Sequence, residues 1–98
     1  MKVEVVAFGP LKDVLGGLNR IEVDLPASSR LIDLLRKLGR RLGRNFSDRV
    51  FSMSGEALSL APGVKVFVNG RDIDFLDGLD TRLGGGDVVY LIPPAGGG

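Results

Sequence analysis

Residues 31–42 read LIDLLRKLGRRL, with Leu31, Leu34, Leu35, Leu38 and Leu42 separated by steps of three and four. That spacing puts all five on one stripe of an α-helix. Asp33 stands in its first turn and Arg40 and Arg41 in its last, which complements the helix dipole. Gly43 is a natural C-terminal stop, and Ser28 or Ser29, after Pro26, is the expected N-cap. A helix with one leucine face has to lay that face on something, and the flanking segments predict a sheet.

Immediately upstream, Arg20–Leu25 alternates Ile21, Val23 and Leu25 with Arg20, Glu22 and Asp24, the pattern of a strand with one wet face. Lys2–Phe8 also reads as a strand, but only its Glu4 end is polar, so it is expected to be central and largely buried. Gly9-Pro10 breaks that strand, and Leu11, Val14 and Leu15 predict a short helix ended by Gly16-Gly17. Downstream, Val64–Val68 is a strand, Asn69-Gly70 a tight turn because both residues tolerate positive φ, and Arg71–Ile73 a short return. Val88–Ile92 is the last strand, closed by Pro93-Pro94, which have no N–H to donate. Asn45–Pro62 is the least legible stretch: Phe46, Val50, Phe51 and Met53 predict one or two further helical turns before Ser54-Gly55-Glu56.

Strand, strand, helix, strand, short strand, strand is most simply packed as an α+β fold. A mixed sheet of four or five strands carries one main helix across one face, with the first and last strands side by side at its centre. This is the β-grasp, or ubiquitin-like, arrangement. Residues 1–93 are expected to form its body, and residues 94–98 a flexible glycine-rich tail.

The composition narrows the chemistry. The chain has 98 residues, 44% hydrophobic and 26% charged, and its 13 basic and 12 acidic side chains leave a net charge of +1. This suits one globular domain, with no global attraction to nucleic acid or to an anionic membrane. The N-terminus shows no signal-peptide pattern, so a cytoplasmic location is expected. There is no cysteine and no histidine, so disulfides, thiolate metal sites, cysteine nucleophiles and a Ser-His-Asp triad are all excluded.

Other motifs read as ordinary structure. Asp72, Asp74, Asp77, Asp80 and Asp87 do not fit a calcium loop, since Leu76 and Leu83 fall where ligands are needed; they suit turns. Gly84-Gly85-Gly86 precedes a strand, whereas a phosphate loop precedes a helix. Arg30, Arg36, Lys37, Arg40, Arg41, Arg44 and Arg49 make the main helix and the following turn basic. A solvated face is the first reading, docking to an acidic partner the second, and RNA contact a distant third, for want of interleaved aromatics.

The tail is Pro94-Ala95-Gly96-Gly97-Gly98. Fully extended, its five residues reach about 17 Å, at ~3.3–3.6 Å each. Without bulky side chains it can thread a narrow channel and deliver a carboxylate into another enzyme's active site. An unselected frayed end is the competing reading.

Several segments bear on that choice. Val5-Val6-Ala7-Phe8 with Leu11-Lys12-Asp13 and Gly16, Pro26 with Asp33-Leu34-Leu35, Val68-Asn69-Gly70-Arg71, and Gly86-Asp87-Val88-Val89 followed by Pro93-Pro94 and the glycine end resemble, in order, the molybdopterin synthase small-subunit and ubiquitin-like sulfur-carrier family (MoaD/ThiS-like). The proline pair favours its molybdopterin branch over the thiamine branch. The resemblance implies that an E1-like adenylyltransferase uses ATP to adenylate the carboxylate of Gly98. A persulfide sulfur donor then converts it to a thiocarboxylate. The tail enters the molybdopterin synthase large subunit and passes sulfur to a pterin precursor of the molybdenum or tungsten cofactor. In that reading Gly98 is the reactive residue, Gly96 and Gly97 the tether, and Pro93 and Pro94 its rigid base. Phe8, Phe75 and Ile92 are candidates for the partner interface. No bound cofactor or metal, no catalytic side chain, and no membrane or nucleic-acid partner is expected. A carrier for tRNA thiolation or thiamine, a modifier conjugated to lysines, and a β-grasp interaction module with an inert tail are the alternatives.

Overall fold

The structure, a computed structural model, describes residues 1–94. Seven strands and two α-helices follow in order: β1 Lys2–Ala7, β2 Arg20–Asp24, α1 Leu31–Leu42, α2 Arg44–Val50, β3 Phe51–Ser54, β4 Ala57–Leu60, β5 Lys65–Val68, β6 Arg71–Asp72 and β7 Val88–Ile92. Short 3-10 helices occupy Gly9–Leu15, Ile73–Phe75 and Gly78–Asp80.

Five strands form one mixed sheet in the order β2-β1-β7-β5-β6. β1 runs parallel to β7, with Val5 opposite Val89 and Ala7 opposite Leu91. Its other neighbour, β2, is antiparallel, as β5 is to β7. The expected central pair is therefore present. This is the ubiquitin-like β-grasp, and the reason is burial: β1 and β7 carry the most apolar sequences, and only the middle of a covered sheet hides them from water.

The leucine stripe of α1 closes one face. Leu31, Leu34, Leu35 and Leu38 are fully buried and join Val3, Val5, Val23, Val66, Val89 and Leu91 in the core. The helix spans the residues that its periodicity predicts, and Gly43 ends it with a positive φ of 78°.

Its start differs from expectation. Neither serine caps α1: Ser28 sits at φ 67°, and the Oγ of buried Ser29 donates to the Pro26 carbonyl at 2.7 Å. The N-cap position falls to Arg30, whose backbone N–H donates to Asp33 Oδ2 at 2.8 Å. Asp33 thus satisfies a donor outside the helix as well as facing the dipole.

The largest departure lies between Phe51 and Leu60. After α2 the chain forms a hairpin of its own, β3 with β4, pairing Phe51 with Leu60 and Met53 with Leu58 around Gly55. Phe46 and Val50 obey the helical reading and are fully buried; Phe51 and Met53 do not. Phe51 packs edge-on to Phe46 at 6.0 Å. Its ring also occupies the space beside Gly39, where an added Cβ would lie 2.9 Å from Phe51 Cζ. The glycine inside α1 is the socket for this ring.

Three basic side chains of the helical region act as clips. Arg36 donates to the Glu56 carbonyl at 2.9 Å and Arg49 to the Pro10 carbonyl at 2.8 Å, while Lys37 donates to the Asp24 carbonyl. They tie α1 and α2 to the hairpin, the first 3-10 helix and β2.

The Asn69-Gly70 turn is built as expected, with φ of 51° and 86°. The Asn69 side chain also accepts from the Val88 N–H at 2.9 Å and donates to Asp87 Oδ1 at 2.8 Å. Asp87 Oδ2 in turn accepts from the Gly84 N–H at 2.7 Å. Replacing Asn69 by Ala takes this partner from the Val88 N–H and Asp87 Oδ1 and puts a Cβ-only residue at positive φ. The expected cost is about 1–3 kcal/mol, read as a lower urea midpoint with an unchanged m-value.

Candidate functional site

Alternation along β7 sends Val89 and Leu91 into the core and leaves Val88, Tyr90 and Ile92 half-buried on the opposite face. The register supplies their neighbours. Phe67 of β5 lies opposite Tyr90 and Lys65 opposite Ile92, while Phe8, just past β1, stacks on Tyr90 with ring centroids 5.9 Å apart and planes at 20°. Phe8 is 46% exposed. The sheet face turned away from α1 therefore carries an apolar stripe of Phe8, Tyr90, Ile92 and Phe67 that is open to water.

Charge frames this stripe on both sides. On the β2 side, Arg20 Nε meets Glu4 Oε1 at 2.8 Å. On the β6 side, Lys65 Nζ lies 2.9 Å from Asp74 Oδ2 and 3.6 Å from Asp72 Oδ2. The hydrogen bond that Lys65 donates to Asp74, with the charge of Asp72 next in weight, raises the Lys65 pKa above its ordinary value. An apolar centre with a charged rim is the usual anatomy of a protein-binding patch.

The sequence candidates divide over the surface. Phe8 and Ile92 fall together at one end of the stripe, because the parallel register continues past Ala7 and Leu91 and the Phe8 N–H donates to the Leu91 carbonyl at 3.1 Å. Phe75 does not join them. It is 88% exposed at a shallow concavity shared with Arg30, Leu76, Asp77, Asp80, Thr81 and Arg82, near the start of α1. Phe8 and Phe75 are both exposed and stand outside the core. Tyr90 and Phe67 belong to the stripe although neither is a sequence candidate. The outward phase of Tyr90 is hidden in a strand that is apolar throughout, and the alignment of Phe67 with it depends on strand register.

Pro93 and Pro94 leave the sheet at the same end as Phe8. Pro93 lies against Gly9 and Pro94 against Gly63, the glycine of the turn before β5. Gly96, Gly97 and Gly98 lie outside the described residues. The aspartates serve turns: Asp72 Oδ1 accepts from the Asp74 N–H at 2.9 Å, and Asp87 bridges its loop. Among the described residues no group of three or more carboxylates converges as a metal site, and no helix is long and apolar enough to cross a membrane.

Comparison with known proteins agrees with this geometry. The model of the ThiS family matches residues 5–98. A candidate sulfur carrier protein of Archaeoglobus fulgidus is 27% identical over 81 residues, 83% of this chain and 89% of that one. The solution structure of small archaeal modifier protein 1 from Methanosarcina acetivorans superposes with a TM-score of 0.84 at 26% identity, over 99% of this chain and 96% of that one. A candidate molybdopterin converting factor subunit 1 from Pyrococcus furiosus gives a TM-score of 0.73 at 30% identity, over 97% and 99%.

Proposed function

We propose, from the premise that this chain belongs to the ThiS family, that it is a sulfur carrier serving as the small subunit of molybdopterin synthase. One observation carries the reading: the parallel β1–β7 pair sends the chain out through Pro93-Pro94 at the margin of the open Phe8–Tyr90–Ile92 face. A partner docked on that face receives whatever follows the prolines. The division into a body of residues 1–93 and a tail of residues 94–98 belongs to this proposal.

The chemistry follows from what the chain lacks. With no cysteine and no histidine, it can supply neither a persulfide nor an imidazole base, and likeness to the ThiS family makes the carboxylate of Gly98 its contribution. ATP adenylates that carboxylate in an E1-like adenylyltransferase, releasing pyrophosphate. The terminal sulfur of a partner's persulfide displaces AMP, and a second thiol cleaves the resulting acyl disulfide to leave a thiocarboxylate. The charged carrier then presents its tail to the synthase large subunit, where the sulfur passes to the pterin precursor. Likeness to the Pyrococcus protein supports this recipient.

A second reading, a modifier conjugated to lysines, is favoured by the likeness to the Methanosarcina modifier. The activation step is common to both.

Intact mass is the first test. Incubation with ATP, an activating enzyme of the same organism and a sulfur donor is expected to add about 16 Da, sulfur for oxygen. An unchanged mass after that incubation contradicts the carrier reading. In a deletion strain, loss of the molybdenum cofactor with normal tRNA thiolation supports the synthase role. Lysine-linked adducts on other proteins support the modifier instead.

A further inference from the structure

The two prolines at the base of the tail rest against glycines from different parts of the fold. Gly9, two residues past β1, has φ +54°, and a Cβ placed on it would lie 3.4 Å from Pro93 Cγ, an ordinary van der Waals contact, so its φ is what restricts that position. Gly63 has φ +79°, and a Cβ there would lie 2.8 Å from Pro94 Cβ and 3.3 Å from its Cα and Cγ. This second position is closed to any side chain, because real Cβ atoms essentially never approach a heavy atom within 3.0 Å. Positive φ favours glycine at both positions; at Gly63 a proline ring also fills the vacant side.

The topology makes the arrangement rigid. Parallel pairing of β1 with β7 brings the end of β1 beside the end of β7, and antiparallel pairing of β5 brings the start of β5 to the same edge, with Lys65 opposite Ile92. The turn that holds Gly63 is closed by the Val64 N–H donating to the Ala61 carbonyl at 3.1 Å, and Val64 is buried. Pro93 and Pro94 have their own φ angles locked. The heading of Pro93-Pro94 is thus restrained from within by the pyrrolidine rings and from without by Gly9 and Gly63.

We infer that Gly63, with Gly9, aims the tail. They are positioning residues for the reaction at the terminal carboxylate, and they act by setting the direction in which Pro93-Pro94 launch the chain. This rests on the carrier reading proposed above. Docking depends on the open sheet face and delivery on the glycine notch, so the two make separable contributions to kinetics. A carboxylate displaced by about 1 Å can lose on the order of 100-fold in rate.

The test is ATP–pyrophosphate exchange catalysed by the organism's activating enzyme, with the full chain as substrate and its concentration varied. Gly63→Ala is expected to lower kcat by roughly 10- to 100-fold while KM for the carrier stays within about twofold. Gly55→Ala is the control for backbone strain, because Gly55 also has positive φ, +62°, but an added Cβ meets nothing within 4 Å. It is expected to leave kcat unchanged. Gly63→Asn carries the same Cβ on a residue type that tolerates the left-handed region. It should reproduce the kcat loss with a thermal midpoint close to that of the wild type, which keeps the test decisive where the alanine variant folds poorly. Wild-type kcat in Gly63→Asn, or an equal loss in Gly55→Ala, overturns the inference. Absence of exchange with the wild-type chain overturns the carrier reading itself, and so tells the two failures apart.

Discussion

A chain lacking Gly97 and Gly98 is expected to fold normally and to accept no sulfur. The sheet ends its ladder at Ile92, opposite Lys65, and among the described residues the core ends at Leu91, so the deletion leaves the described ladder and core intact. Its unfolding midpoint should match that of the full chain. The carboxylate, however, retreats by about 7 Å, two residues at ~3.3–3.6 Å each. Adenylation needs reacting atoms within about 3–3.5 Å, which no side-chain adjustment restores over that distance. Loss of charging below detection, in the intact-mass measurement and in ATP–pyrophosphate exchange alike, is the predicted result. A truncated chain that still gains sulfur would show that Gly98 is not the reactive residue. An inert tail, by contrast, predicts that a deletion strain is rescued equally well by truncated and full-length forms.

The second large effect is expected at Tyr90. It sits at the middle of the open stripe, stacked on Phe8 and opposite Phe67. In Tyr90→Asp a carboxylate takes the place of the ring, and a docked partner would have to bury that charge without a counter-ion. Desolvation of this kind costs several kcal/mol, and central aromatic positions are where interfaces are most sensitive. We expect the Kd for the activating enzyme to rise at least about 100-fold, equivalent to about 2.7 kcal/mol. Calorimetric titration measures it directly. Phe8→Ala provides the companion, since a half-exposed ring can be removed with little effect on the core. It should weaken binding in the same direction while leaving the thermal midpoint nearly unchanged. Phe75→Ala, on a different surface, should do neither. Undiminished binding by both Tyr90→Asp and Phe8→Ala would place the partner elsewhere.

These expectations draw unequally on the sequence. The α1 leucine stripe was legible because the 3.6-residue period is local, and Gly43 and Asp33 mark its ends with their own chemistry. β2 was legible for the same reason at period two, and β7 as a short apolar run closed by Pro93-Pro94. The N-cap was not, because Ser29 is drawn into a bond with Pro26 that only the folded loop offers. The β3–β4 hairpin was hidden by a coincidence of period: Phe46, Val50, Phe51 and Met53 suit a helix, and Leu58 and Leu60 had to be recognised as partners across Gly55 to end it at Val50.

The site divides along the same line. Residue types and local spacing alone determined a β-grasp with one leucine-faced helix, excluded thiol chemistry and a Ser-His-Asp triad by the absence of cysteine and histidine, and marked the proline pair and glycines after the last strand. Tertiary structure alone decided which aromatic residues share a face. It put Phe8 and Ile92 beside Tyr90, sent Phe75 to another surface, and set Gly9 and Gly63 against Pro93 and Pro94. The physical reason is strand register. Side-chain periodicity is a property of a single segment, whereas the parallel pairing of β1 with β7 and the antiparallel pairing of β5 with β7 join residues far apart in the chain, and shifting either by one residue exchanges every inward side chain for an outward one.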